Sequence, residues 1–374
     1  MSAPIVIAAG GTGGHMFPAQ ALAAELAARG RELALVTDRR GAGFGDAIAG
    51  AAVFTVRASQ VSGRSLPRRL RGLTDIAVGV VQARRLLRRL RPAGVIGFGG
   101  YASVPTVLAA TQLGLPTVIH EQNAVLGRAN RLLAPRVRVI ATAFTAPAQL
   151  CPADQAKAEH TGNPVRAAIA AIGEQPYPTP EPEATLELLV TGGSQGAEVM
   201  AEVVPTALAA LPAALRRRLR VAQQCRAEDR ARVRKTYEAA GIAADLETFF
   251  DDIPARLAVA QLVVARAGAS TLAELTAAGR PAILVPYPLA TDDHQLANAR
   301  AVEAAGAAWT MAQAGFTPVT LAARIETFLV SPSRLAEAAA MARAVGLPGA
   351  SARLADLVER RMPSDGPVAG EIAA

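Results

Sequence analysis

Three glycine-rich turns carry the first signs of chemistry. Gly10-Gly11-Thr12-Gly13-Gly14-His15 follows a short apolar run and precedes a helical pattern. Gly192-Gly193-Ser194-Gln195-Gly196-Ala197 repeats that arrangement in the second half, and Arg266-Ala267-Gly268-Ala269-Ser270-Thr271-Leu272-Ala273-Glu274 supplies a third example. Glycine lets the backbone approach a ligand closely, and a helix N-terminus offers N–H groups at the positive end of a dipole. A diphosphate is the kind of ligand such turns fit. Taken singly, each turn serves equally well as a tight strand-to-helix connection. The third reads first as a capping box, with Ser270 or Thr271 as cap and Glu274 in the first turn. Two matching turns, one per half, are harder to assign to chance. None continues into Gly-Lys-Ser/Thr, and none has the G-x-G-x-x-G spacing.

The chain has four histidines: His15, His120, His160 and His294. His15 closes the first glycine turn, where a general base beside a phosphate site belongs. His120-Glu121-Gln122-Asn123 ends an apolar run, and four polar residues there suit a ligand site as readily as a loop cap. The pattern is not H-E-x-x-H, so a zinc site is not expected. In Asp292-Asp293-His294-Gln295-x-x-Asn298, Asp292 reads as a helix cap. Gln295 and Asn298, three apart, share a helical face that could hold a sugar. The chain contains no D-x-D, which weighs against a metal-chelated nucleotide diphosphate.

These residues need rigid elements to position them. Apolar runs at 5–8, 33–37, 53–56, 94–97, 116–120 and 137–142 read as strands separated by helical segments such as 18–28. Short, fully apolar strands alternating with helices predict a parallel sheet covered on both faces. The stretch 173–184 contains four prolines and breaks the pattern. Further strands are predicted at 186–191, 219–223, 246–250, 262–265 and 282–286. The expected fold is α/β, two doubly wound parallel-sheet domains with a cleft between them. The boundaries are 1–165, 166–345 with a linker at about 167–184, and 346–374, the last a helix that could return to the first domain plus a loose tail from Met362.

The chain has 374 residues, 51% hydrophobic and 19% charged, enough for two packed cores. Two cysteines, Cys151 and Cys225, without metal spacing fit a reducing compartment rather than a disulfide scaffold. The N-terminus reads as a first strand rather than a signal peptide. No run of 18 apolar residues appears, so membrane contact is expected to be peripheral. The net charge of +8 suits an anionic partner or surface. Residues 64–91 hold nine arginines (Arg64, Arg68, Arg69, Arg71, Arg84, Arg85, Arg88, Arg89, Arg91) and one acid, Asp75, around Leu73, Ile76, Val78, Val80 and Val81. An anionic membrane surface ranks first for this stretch, a helix packed on its own sheet second. Nucleic acid is a distant third, because stacking aromatics are missing.

In order along the chain, GGTGGHMFPAQALA (10–23), GFGGYASVP (97–105), HEQNAVLGRANRLLA (120–134), TGNPVR (161–166), TGGSQGA (191–197), RAGASTLAEL (266–275), GRPAILVPYP (279–288) and DDHQLANA (292–299) closely resemble one family. It is the family of UDP-N-acetylglucosamine:undecaprenyl-diphospho-muramyl-pentapeptide N-acetylglucosaminyltransferases. The resemblance implies a GT-B fold, two Rossmann-like domains facing across a cleft. It implies an inverting transfer of N-acetylglucosamine (GlcNAc) from UDP-GlcNAc to the 4-hydroxyl of the muramyl sugar of lipid I, giving lipid II for peptidoglycan. It implies no cofactor and a peripheral place on the cytoplasmic face of the inner membrane. Partners in cell-wall elongation and division are expected on the same ground, and nucleic acid is not.

By matched position, the resemblance implies that Thr12, Gly13 and Gly14 form the first glycine loop and Asn123 touches the donor sugar. Arg166 and Ser194 would contact the donor diphosphate, and Phe250 would offer its backbone to uracil. Ala269, Ser270, Thr271, Leu272, Ala273 and Glu274 would hold diphosphate and ribose, with Glu274 on the ribose hydroxyls. Gln295 would bond the N-acetylglucosamine. Gly99, Gly100, Tyr101 and Asn130 fall on the acceptor side. His15 is the leading base and Glu121 its rival. The chain departs from some members at Ala201, where they carry Asn, and its basic stretch matches the family in character rather than in sequence. Rival readings are a nucleotide-sugar 2-epimerase of the same fold and a non-enzymatic nucleic-acid binder.

Overall fold

The structure, a computed structural model, describes residues 3–11, 13–39, 50–59, 66–181, 183–193 and 197–363, with no side-chain description at 66–70. The chain divides into two compact units, Met1–Val165 with Gly349–Ala374, and Arg166–Pro348.

In the first unit the strands are β1 (Ile5–Ala8), β2 (Leu33–Thr37), β3 (Ala52–Thr55), β4 (Gly94–Gly97), β5 (Thr117–Glu121), β6 (Val139–Thr142) and β7 (Ala158–His160). Helices α1 (Gly13–Ala28), α2 (Leu66–Leu90), α3 (Ser103–Gln112) and α4 (Arg128–Leu133) lie between them. The sheet order is β3-β2-β1-β4-β5-β6-β7, parallel throughout. Successive residues of β1 face opposite ways, as the strand period requires. Ile5 and Ile7 join one core with Leu22 and Leu26 of α1, while Val6 and Ala8 join the other with Val104 and Val107 of α3. The helix α2 runs against α3. Gly79 makes that approach possible, because a Cβ there would collide with the Arg57 carbonyl and touch Pro105.

The second unit contains α5 (Ala167–Gly173), β8 (Leu186–Thr191), α6 (Glu198–Ala209), α7 (Ala213–Arg216), β9 (Leu219–Gln224), α8 (Arg230–Ala240), β10 (Ala243–Glu247), α9 (Ile253–Val259) and β11 (Leu262–Ala265). It continues with α10 (Ala269–Ala277), β12 (Ala282–Leu284), α11 (His294–Ala304), β13 (Ala308–Thr310), α12 (Pro318–Val330) and α13 (Ser333–Val345). Its parallel sheet has the order β10-β9-β8-β11-β12-β13. Leu188 and Val190 pack on one face with Val204, Leu208 and Phe328, and Leu189 packs on the other with Leu257 and Leu272.

In each sheet the strand order reverses once, between β1 and β4 and between β8 and β11. Loops at the carboxyl ends of such neighbouring strands splay apart and leave a crevice for ligands. All three glycine turns follow β1, β8 or β11, at those reversals.

The last helix, α14 (Ala350–Arg361), belongs to the first unit. Leu354, Leu357 and Val358 complete the core under α1, and Arg29, just past the end of α1, binds Asp356 at 2.6 Å and Glu359 at 2.9 Å. Met362, expected to start the loose tail, is fully buried in that core. Residues 364–374 lie outside the described residues.

Other expectations are corrected too. Residues 167–173, expected within the linker, form α5, because AAIAAIG buries Ile169 and Ile172. The strand expected at 246–250 lies at Ala243–Glu247, an edge strand whose mixed sequence AADLE hides its start. The three-residue strands β7 and β13 were not expected, being too short to show a period.

Candidate active site

In the first unit, α1 begins at Gly13, so Gly13, Gly14 and His15 form its first turn. Thr12 lies outside the described residues. The His15 imidazole rests among glycines from two loops. A Cβ on Gly10 would come within 3.5 Å of the ring, one on Gly99 within 3.4 Å and one on Gly100 within 3.2 Å. Gly99 and Gly100 have φ of +80° and +70°, a left-handed conformation that strains any residue with a side chain. The loop after β4 can therefore wrap the ring only with glycine at both positions. Tyr101 follows, half-buried, just before α3.

The end of β5 supplies the other groups. On β5 His120 and Glu121 face opposite ways, and just past the strand hydrogen bonds set Gln122 beside His120 and Asn123 beside Glu121. Glu121 is buried, and both of its oxygens are occupied. Oε1 accepts from the Asn123 backbone N–H at 3.0 Å and from Asn123 Nδ2 at 3.1 Å. Oε2 accepts from the Gly127 N–H at 2.8 Å and from Asn130 Nδ2 at 2.8 Å. Asn130 also donates to the His120 carbonyl at 3.1 Å, and among the described residues its buried Oδ1 accepts no hydrogen bond. This carboxylate organises the 121–130 loop.

His120 is fully buried beside the Phe98 ring, with centroids 5.3 Å apart. Burial pushes its pKa down to about 4, so the ring is neutral near pH 7. His120 Nε2 lies 2.9 Å from the Gly162 carbonyl oxygen, and its Nδ1 lies 2.9 Å from Gln122 Nε2. Gln122 Oε1 then reaches His15 Nδ1 at 3.2 Å. The HEQN sequence marks a polar cluster but by itself assigns Gln122 no role.

In the second unit, Gly193 takes φ +79° after β8, and its N–H donates to Thr191 Oγ1 at 3.3 Å. Ser194 lies outside the described residues. Helix α10 starts with Ala269, Ser270 and Thr271 after an extended Gly268 at the cap position. No described side chain caps it, which corrects the capping-box expectation for Ser270, Thr271 and Glu274. The first-turn N–H groups therefore sit behind a glycine, as an anion site at a helix N-terminus requires. Leu272 is buried against the core and Ala273 is half-buried.

Arg166 opens this unit as the residue before α5, and its guanidinium grips Glu274 of α10 at 2.8 Å. Burial raises the Glu274 pKa above the usual carboxylate range, and the arginine works against that rise. Phe250 follows β10, buried, with the Arg256 guanidinium 3.8 Å from its ring centre.

Gln295, in the first turn of α11, accepts from the Tyr287 N–H at 2.9 Å, so its NH2 group is what it can offer a sugar. Asn298 is fully buried and donates to the Ala267 carbonyl at 3.2 Å. It braces the loop before α10; the helical face it shares with Gln295 had been read as one that could hold a sugar. The cap of α11 is Asp293, left-handed at φ 51° and without a side-chain bond, where Asp292 had been expected. Among the described residues no three His, Cys, Asp or Glu side chains converge as a metal site.

Residues 5–142 match the glycosyltransferase family 28 N-terminal domain and residues 187–360 the family 28 C-terminal domain. A UDP-N-acetylglucosamine–N-acetylmuramyl-(pentapeptide) pyrophosphoryl-undecaprenol N-acetylglucosamine transferase of Paramagnetospirillum magneticum is 55% identical over 361 residues, 96% of this chain and 97% of the relative. One of the same name from Rhodospirillum centenum is 56% identical over 356 residues, 95% of this chain and 94% of the relative. The crystal structure of Acinetobacter baumannii MurG superposes with a TM-score of 0.76 at 30% identity, covering 96% of this chain and 99% of that one. The two parallel-sheet α/β units are those of a GT-B glycosyltransferase. Similarity of this degree over nearly the whole length places the chain in the family of UDP-N-acetylglucosamine–N-acetylmuramyl-(pentapeptide) pyrophosphoryl-undecaprenol N-acetylglucosamine transferases.

Proposed function

We propose that this chain transfers N-acetylglucosamine from UDP-GlcNAc to the 4-hydroxyl of the muramyl sugar of lipid I, with inversion, giving lipid II. The observation that carries the reading is the near full-length relationship to transferases of that name, together with an imidazole seated among glycines at the sheet reversal. In the reaction the acceptor oxygen bonds to the anomeric carbon as that carbon's bond to the UDP oxygen breaks. His15 takes the hydroxyl proton, and UDP leaves with the negative charge. The first-turn N–H groups of α10 and the Arg166 guanidinium stabilise that charge. Glu274 takes the ribose hydroxyls and Gln295 the acetamido sugar. The donors that saturate Glu121 favour His15 as the base.

The acceptor is a lipid, and α2 supplies a surface suited to meeting it. No described helix is long and apolar enough to cross a membrane. On α2, however, Leu73, Val78 and Val81 are 54%, 40% and 50% exposed, beside Arg84, Arg85 and Arg88. Apolar side chains interleaved with arginines fit the headgroup region of an anionic bilayer, at about 1 kcal/mol per basic residue near the surface. This face would hold the protein peripherally on the membrane that carries lipid I.

The direct test incubates the purified protein with radiolabelled UDP-GlcNAc and a short-chain lipid I analogue. Formation of a labelled disaccharide lipid is expected. Intact UDP binding with no transfer would count against the reading and favour the epimerase alternative.

A further inference from the structure

We propose that Gln122 is a positioning residue that fixes His15 in the tautomer with its proton on Nδ1, so that Nε2 is the nitrogen that accepts a proton. The proposal deepens the reading of His15 as base and rests on it.

A hydrogen-bond chain runs from the buried Gly162 carbonyl through His120 and Gln122 to His15. The Gly162 carbonyl can only accept, so His120 Nε2 carries a hydrogen and donates to it across 2.9 Å. The neutral His120 ring then has a lone pair on Nδ1, which needs a donor. Gln122 Nε2 is 2.9 Å from that nitrogen and 2.9 Å from the His120 carbonyl oxygen. Both neighbours are acceptors, so the amide NH2 must face them. The opposite amide orientation would set two carbonyl oxygens against each other and leave the lone pair facing oxygen. Gln122 therefore presents Oε1 to His15, and His15 Nδ1, 3.2 Å away, must be the donor. Each step follows from the one before, and the anchor is a backbone carbonyl that cannot change its role.

The consequence is chemical. In water a neutral histidine prefers its proton on Nε2, and the partner of one ring nitrogen decides the role of the other. Here Gln122 selects the less common form. When Nε2 takes the acceptor's proton, the ring becomes an imidazolium whose Nδ1–H bond to Gln122 gains charge assistance. No proton passes further, because an amide in this orientation has no site for it. The glycines against the ring keep it in place for this role. His120 acts one step further back, holding the amide orientation.

The test is long-range ¹H–¹⁵N spectroscopy of the full-length protein with ¹⁵N-labelled histidine. Only four histidines contribute, and His15→Ala identifies the His15 signals. The wild-type His15 should show a protonated Nδ1 and a lone-pair Nε2, and His120 the reverse. A proton on Nε2 of His15 in the wild type overturns the proposal.

Kinetics supply the second arm. Gln122→Met should lower kcat by at least about tenfold with KM for both substrates within about twofold. In a His15→Ala background the same substitution should cost almost nothing, since the two residues act as one unit. An equal loss in both backgrounds would mark Gln122 as merely structural. A His15→Ala enzyme with wild-type kcat would instead defeat the base reading itself, which separates the two failures.

Discussion

Arg166 and Glu274, 108 positions apart, are joined by two hydrogen bonds to one carboxylate oxygen, from Nε at 3.1 Å and Nη2 at 2.8 Å. The pair ties the first residue of the second unit to the helix that carries the third glycine turn. Both residues were expected on the donor, one at the diphosphate and one at the ribose. Here each orients the other, with Glu274 Oε1 turned to the arginine. Glu274→Ala should therefore weaken UDP binding by about tenfold or more in calorimetry, through loss of the proposed ribose contact and of the arginine's anchor. Binding at wild-type strength would reduce the pair to a structural clasp.

Glu121 accepts from four donors within its own loop. In Glu121→Gln the new NH2 group must face at least one of them. Hydrogen bonds to a buried charge contribute about 1.5–3 kcal/mol each, so this variant should lose roughly 2 kcal/mol or more of stability. Urea unfolding followed by circular dichroism reads the change. A variant of wild-type stability that nonetheless loses transfer would restore Glu121 as a candidate base.

His120 gives the protein a pH dependence of defined sign. Its pKa falls from an ordinary 6.5 to about 4 because burial disfavours the charged ring. Between those values the unfolded chain binds a proton that the folded chain does not. The contribution is complete above pH 6.5 and is lost as pH falls toward 4, on the order of 3 kcal/mol in all and about 2 kcal/mol by pH 5. Urea midpoints at pH 7.5 and pH 5 should draw together in His120→Gln relative to wild type. An unchanged gap would mean that another group sets the acid sensitivity.

The exposed face of α2 makes a separate prediction. Replacing Leu73 and Val81 together by Asp should weaken sedimentation with anionic vesicles by roughly tenfold or more, since burying each such side chain contributes about 1.5–3 kcal/mol. Transfer to a water-soluble acceptor analogue should be unchanged. Vesicle binding at wild-type strength would move the membrane contact elsewhere on the protein.

The strands that formed the frame were legible because parallel strands buried on both faces are short and wholly apolar. Ile5–Ala8, Leu33–Thr37 and Leu262–Ala265 read directly from composition. The edge strand β10 was placed a few residues late for the converse reason, since Ala243–Glu247 alternates weakly and meets solvent. Glycine turns at the strand ends marked the site, because Gly99 and Gly100 need a left-handed backbone. The roles of the polar groups were less legible. Asn298 looked able to bond a sugar, and the structure buries it against the Ala267 carbonyl, a matter of which helical face meets that loop. Gln122 gained its role only from His120 and His15, which approach it from positions two and 107 residues away.

The most direct test of the account is the turnover of His15→Ala with UDP-GlcNAc and a soluble lipid I analogue. Removing a general base costs about 10²–10⁴-fold, so kcat should fall by that factor while calorimetric UDP affinity stays within about twofold. A kcat close to wild type would contradict the assignment of His15 and the proton path built on it.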